Sequence, residues 1–164
     1  MKNWRFREVL TISSLAGLIE LMSVISEVPL TLKFSIFALI LVIAGYIDVK
    51  TRTIPDWIHV LIVVVAFIRL DWPDSMLGLL FVPLPYFIMA ILKENSIGGG
   101  DIKLMGACGF YLGIRAGYLA SIVGLFIAVI SYAVISLIAS QKINQSIPLA
   151  PFLGAGCIVT YFII

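Results

Sequence analysis

The chain has 164 residues, 62% of them hydrophobic and 12% charged, with a mean hydropathy of +1.14. A soluble domain carries about 25% charged residues, so this composition excludes an ordinary cytosolic enzyme, a disordered chain and a nucleic-acid-binding domain, and it fits an integral membrane protein. The formal net charge of +2 is uninformative by itself, because in a membrane protein the placement of the basic residues carries the information.

At roughly 20 residues per crossing, the length suffices for about six or seven spans. Residues 1–8 are basic (Lys2, Arg5, Arg7) and residues 9–25 are apolar, in the manner of a signal peptide. Glu20 interrupts the apolar run and no small-x-small cleavage site follows, so an uncleaved first span is expected. Glu27, Pro29 and Lys33 mark a loop, and a second span is expected over residues 34–47, ending where the polar segment DVKTRTIPD begins at Asp48. A third span covers residues 57–68 and closes at Arg69, Asp71, Pro73 and Asp74. The fourth, residues 75–92, carries Pro83 and Pro85, which predict a kink.

The segment KENSIGGGDIK, residues 93–103, is the longest polar interruption. A short apolar piece, residues 104–112, then reaches Gly113 and Arg115. Residues 117–139 form a clear span, and after Gln141 and Lys142 a last one covers residues 147–164. The expected fold is an all-α integral membrane protein, a polytopic bundle of about six to seven transmembrane helices, with an N-terminal helix and loop over 1–33 and one membrane domain over 34–164. With the N-terminus inside, the inner loops hold Lys2, Arg5, Arg7, Lys50, Arg52, Lys93, Lys103 and Lys142, and the outer loops Lys33, Arg69 and Arg115. That distribution satisfies the positive-inside rule, provided residues 104–112 cross the membrane. Trp57 and Trp72 fall near opposite ends of the third span, as an aromatic belt requires. Cys108 and Cys157 lie in apolar stretches without a CxxC pair, and read as two small buried side chains rather than a disulfide or metal site.

The topology places Asp48 and Asp101 at helix–loop junctions on one membrane face. Asp48 closes the apolar run IFALILVIAGYI. A carboxylate there is either functional or a helix-stopping charge paired with Lys50 or Arg52. Asp101 follows Gly98, Gly99 and Gly100, which would let the backbone turn sharply and a substrate approach closely. An Asp after such a turn would equally serve as an N-cap. The absence of a following Lys-Ser/Thr speaks against a phosphate loop. As a pair the two mean more. Two carboxylates from different helices at one face can share a proton, one acting as general base on a water while the other polarises a peptide carbonyl.

Residues GYIDVKTRTIPD are similar to the first signature of the type IV prepilin and preflagellin peptidases, an Asp followed by a basic residue and Ile-Pro. GGGDIKLMGACG resembles their second signature, Gly-x-Gly-Asp with a following Lys-Leu, and IPLAPFLGAG resembles the Pro-rich start of their last span. The three elements agree in order and spacing over about residues 34–164. The resemblance implies an intramembrane aspartic endopeptidase of the Gly-x-Gly-Asp type in a prokaryotic cell membrane, with its active site facing the cytoplasm. It would cut short basic leaders from prepilin-like precursors (pilin, pseudopilin or archaellin) in the lipid bilayer, with no cofactor and no metal. Asp48 and Asp101 fall on the catalytic aspartates; Gly98, Gly100 and Lys103 fall on the rest of the second motif, with Gly99 as its variable position; Ile54 and Pro55 fall on the first. Asp56 stands where the family usually has Asn. Longer members carry a cysteine-rich zinc segment and N-methylate the new N-terminus. This chain has no CxxC pairs, so the resemblance is to the short, peptidase-only form.

Glu94 and Asp56, on the same inner face, are candidates for attracting the leader's basic residues, with solvated loop charges as the alternative. Glu20 reads as an interhelical hydrogen-bonding group or part of a tilted amphipathic segment, with a buried functional carboxylate as the alternative. His59, the only histidine, reads as an interfacial hydrogen-bonding residue, since no serine or cysteine is placed to be its nucleophile. Tyr46 and Lys103 neighbour the aspartates in sequence and would either tune the pair or anchor helix ends. Two other classes compete: a small cation- or proton-coupled transporter, and a non-catalytic membrane subunit of a pilus or secretion assembly. Against the first, both aspartates sit at one face rather than the midplane and no inverted repeat is visible. Against the second, no motif position is missing.

Overall fold

In the computed structural model, which describes residues 29–68, 70–93, 97–139 and 148–164, every regular element is a helix. They are α1 (Leu30–Thr51), α2 (Asp56–Ala66), α3 (Trp72–Phe81), α4 (Leu84–Leu92), α5 (Gly99–Ala139) and α6 (Ala150–Ile163). Among the described residues, three stretches are long and apolar enough to cross a membrane: Leu30–Thr51, Trp72–Leu92 and Gly99–Leu137; α2 and α6 are shorter apolar helices. The chain is thus a helical membrane protein. The expected first span with Glu20, the loop charge Glu94, and Arg69 lie outside the described residues.

Proline and glycine set most of the boundaries. Pro29, extended at φ −62° and ψ 139°, opens α1. The helix therefore starts four residues earlier than the sequence suggests. Lys33 belongs to its first turns rather than to a loop, buried with its ammonium 4.6 Å from the centre of the Tyr111 ring. At the other end Arg52 adopts φ 56° and donates its N–H to the Asp48 carbonyl at 2.9 Å. A left-handed conformation at a non-glycine residue costs about 1 kcal/mol or more, and here it turns the chain out of α1. Ile54 precedes Pro55 and is held out of the helical region by it, and Pro55 itself is extended at ψ 140°, so α2 begins at Asp56. Val82 and Pro83 separate α3 from α4, at the predicted kink: Pro83 has no N–H to continue the ladder, and Pro85 starts the next helix.

The largest departure from a simple helix is at Gly113, with φ 81° and ψ 177°. A Cβ built on Gly117 would lie 3.3 Å from the Gly109 Cα, although eight residues of straight helix span about 12 Å. The chain therefore reverses, and α5 is a hairpin of two legs, residues 99–112 and 114–139. The apolar piece 104–112 belongs to a leg of its own and does not begin the following span. Asp74 at the start of α3 holds the reversal, its Oδ1 accepting the Ile114 N–H at 3.2 Å. A Cβ at Gly113 would collide with the same carboxylate, so the turn requires glycine twice, for its φ and for its space.

Small residues let the helices close on one another, the packing lipid demands because no water is expelled between spans. Gly78 of α3 meets Gly109 of the first leg backbone to backbone, and Gly156 of α6 meets Ala120 and Gly124 of the second. Phe37 stacks on Tyr111 at 3.7 Å and Phe34 on Tyr161 at 3.9 Å, tying α1 to α5 and α6. Phe37, Leu41, Ile58, Ile62, Leu104, Met105 and Leu153 fill the centre. Leu39, Val42, Val64, Leu80, Phe126 and Val129 face outward, an apolar exterior suited to lipid. Cys108 and Cys157 are both buried free thiols, as expected, and the fold brings them into contact across the α5–α6 interface.

The helix ends sort into two groups. Asp48, Arg52, Asp56, Gly98–Asp101, Lys103 and Ala150 lie at one end; Lys33, Trp72, Asp74, Gly113 and Arg115 lie at the other. Trp57 and Trp72, each about half exposed, mark the two levels.

Candidate active site

Asp48 sits in the last turn of α1, only 6% exposed. One turn below it, Gly45 lets α6 approach: a Cβ there would lie 3.1 Å from the Pro151 Cα. This contact brings the start of α6 onto Asp48, whose Oδ2 accepts the Ala150 N–H at 3.1 Å. An N-terminal N–H has no intrahelical partner, and the helix dipole adds to its attraction for a carboxylate.

Asp101 lies in the first turn of α5. Of the two alternatives for this segment, neither the sharp glycine turn nor the N-cap role of Asp101 describes the backbone. Gly99 and Gly100 are already helical, and the Gly98 carbonyl accepts the N–H groups of Asp101 and Ile102 at 3.0 and 3.3 Å. The glycines serve space instead. A Cβ on Gly98 would stand 3.2 Å from Asp101 Oδ2, and one on Gly100 would stand 3.3 Å from the Ile54 Cβ, whereas one on Gly99 would meet nothing within 4 Å. The Gly-x-Gly-Asp spacing therefore has a steric reading: outer glycines that keep clear of the carboxylate and of the first-signature isoleucine, and an unconstrained position between them. Asp101 Oδ1 is buried without a hydrogen-bond partner.

Both carboxylates line one pocket of about 340 Å³, together with Arg52, Thr53, Ile54, Asp56, Gly98, Gly99, Gly100 and Lys103. Of the residues on or beside the two signatures that the sequence put forward for the site, Pro55 opens α2 from outside the pocket, Tyr46 does not line it, and Glu94 lies outside the described residues. Thr53 was missed, and Arg52 was named only as a charge to pair with Asp48. Their signal in the sequence was their place between Asp48 and the Ile54-Pro55 pair of the first signature.

Asp56 is exposed at the head of α2 and accepts a hydrogen bond from Lys103 Nζ at 2.7 Å. The ammonium holds that carboxyl below the ordinary aspartate range. The charge that departs from the family's usual Asn is thus matched by the second signature's lysine. His59 is 8% exposed, and its Nε2 lies 3.2 Å from the Gly100 carbonyl, the hydrogen-bonding part the sequence suggested. Tyr46 is exposed, with the Lys50 ammonium 4.6 Å from its ring centre, and it does not line the pocket. Among the described residues no three His, Cys, Asp or Glu side chains are placed to hold a metal ion.

Residues 35–137 match the Type IV leader peptidase family. Among curated proteins, the "Prepilin leader peptidase/N-methyltransferase" of Bacillus subtilis (strain 168) is 29% identical over 134 residues. That alignment covers 77% of this chain and 53% of the relative, so the chain spans about half the length of the curated protein it matches. No solved structure matches. The family match takes in well over half the chain, including both aspartates and every residue lining their pocket, and the chain belongs to the type IV leader peptidase family.

Proposed function

We propose that the protein is an intramembrane aspartic endopeptidase that removes short basic leaders from prepilin-like membrane precursors at the cytoplasmic face. The observation that carries this reading is the shared pocket: two carboxylates from different helices, at one end of the bundle, facing the same space of about 340 Å³. Family membership supports the peptidase role. The distribution of basic residues supports the orientation, with Lys50, Arg52, Lys93 and Lys103 at the site's end and Lys33 and Arg115 at the other.

The hydrogen bonding suggests a division of labour. Asp48 is held at Oδ2 by the Ala150 N–H. Asp101 has a buried Oδ1 with no partner, left to engage a substrate carbonyl. In this reading Asp48 takes a proton from a water as the water oxygen bonds to the scissile carbonyl carbon. Asp101 hydrogen-bonds and then protonates the carbonyl oxygen, giving a tetrahedral diol. Collapse breaks the C–N bond, with the proton held by Asp48 passing to the leaving amine and that of the diol returning to Asp101.

The test is processing of a co-expressed precursor with a basic leader by wild type, Asp48→Asn and Asp101→Asn at equal membrane levels. Loss in both variants is expected; processing that persists in either one sinks the two-aspartate mechanism.

A further inference from the structure

Four side-chain and backbone groups near the pocket form a second arrangement that the aspartate pair does not use. The first turn of α2 contributes Asp56 and His59; the first turns of α5 contribute Gly100 and Lys103. Each helix grips the other at two points, His59 Nε2 to the Gly100 carbonyl at 3.2 Å and Lys103 Nζ to Asp56 Oδ1 at 2.7 Å. Asp101 stands between the two grip points on α5. A carbonyl only accepts, so Nε2 must carry the hydrogen of that bond. His59 Nδ1 is buried without a hydrogen-bond partner and lies 3.7 Å from Asp56 Oδ1. The charged groups facing the imidazole are therefore Asp56 from its own helix and Lys103 from α5.

The two grips differ in kind. The Lys103–Asp56 pair is exposed on both sides, where such pairs contribute little. The imidazole is buried, and its bond reaches the residue immediately before Asp101. A catalytic group misplaced by about 1 Å can cost roughly a hundredfold in rate, so a contact that fixes the backbone beside Asp101 bears on chemistry as well as folding.

We infer that His59 is a positioning residue: by donating Nε2–H to the Gly100 carbonyl it fixes the helical turn that presents Asp101 to Asp48. The inference rests on the proposed peptidase reading for its catalytic consequence, though not for the contact itself.

The experiment uses the full chain in lipid nanodiscs with His59→Phe, His59→Ala and His59→Gln. Two readouts are taken: cleavage kinetics on a basic-leader precursor, and amide hydrogen exchange over residues 97–103, where the Asp101 and Ile102 amides bond to Gly98. Phe and Ala are expected to speed exchange there and lower kcat roughly tenfold to a hundredfold, with KM within about twofold. Gln, whose amide N–H can reach the same carbonyl, is expected to restore most of both. Unchanged kcat in His59→Ala, a rise in KM alone, or Gln no better than Phe would each overturn the inference. Altered exchange alongside cleavage that is indifferent to Asp48→Asn and Asp101→Asn would instead keep the contact and remove the two-aspartate reading on which its catalytic consequence rests. Where Phe proves poorly folded, the comparison of Gln with Ala decides.

Discussion

The two ends of the bundle use the same bond for different ends. At one, Asp74 accepts the Ile114 N–H at the start of a helical leg; at the other, Asp48 accepts the Ala150 N–H at the start of α6. Each is a carboxylate closing a helix N-terminus from a distant part of the chain, and each stabilises the fold. Asp74 is pressed against Gly113 with no room for a Cβ. Asp48 opens instead onto a pocket with a second carboxylate, one of whose oxygens is buried and unpartnered. A capped helix does not by itself make a site. The second carboxylate and the space between the two provide the chemistry.

That contrast can be broken at either end. The largest expected effect on folding is Gly113→Ala, which forces a Cβ into the Asp74 carboxylate and a side chain into φ 81°. A loss of several kcal/mol, seen as a collapse of folded protein in membranes and of thermal stability, is the expected outcome. Asp74→Ala removes one cap and should cost about 1–2 kcal/mol, lowering the unfolding temperature while cleavage per folded molecule persists. A loss of cleavage at undiminished stability would mean that the far end participates in chemistry.

At the pocket, Gly100→Ala presses on Ile54 and Gly98→Ala on Asp101 Oδ2. Both should lower kcat by roughly tenfold or more through misplaced geometry, while Gly99→Ala, with open space at its Cβ, should cleave at close to the wild-type rate. A reversal of that order would refute the steric reading of the motif. The smallest effect belongs to the exposed ion pair: Asp56→Asn should change stability by less than about 1 kcal/mol, measured by thermal unfolding in detergent, because Asn still accepts from Lys103.

The apolar runs and their Pro breaks were readable in the sequence because lipid imposes a composition on every residue of a span. Both aspartates were readable for the same reason, as charges interrupting that composition. The reversal at Gly113 was not: Gly113, Ile114 and Arg115 interrupt an apolar stretch only weakly, and the residue that holds the turn, Asp74, lies 40 positions away. Lys33 looked like a loop charge because only the folded chain brings the Tyr111 ring beneath it. The Asp48 donor comes from 102 residues further on, and the partner of His59 is a backbone carbonyl, which no side-chain pattern reports. Local composition set the elements, and long-range backbone partners set the site.

The central claim is that the Asp48 and Asp101 carboxylates act together on one peptide bond and that Asp74, bonded in the same way, does not. One measurement addresses it: processing of a basic-leader precursor, side by side, by wild type, Asp48→Asn, Asp101→Asn and Asp74→Asn at matched membrane levels. The account predicts cleavage by wild type and Asp74→Asn and by neither of the other two. Cleavage surviving in Asp48→Asn or Asp101→Asn, or lost equally in all three variants, would contradict it.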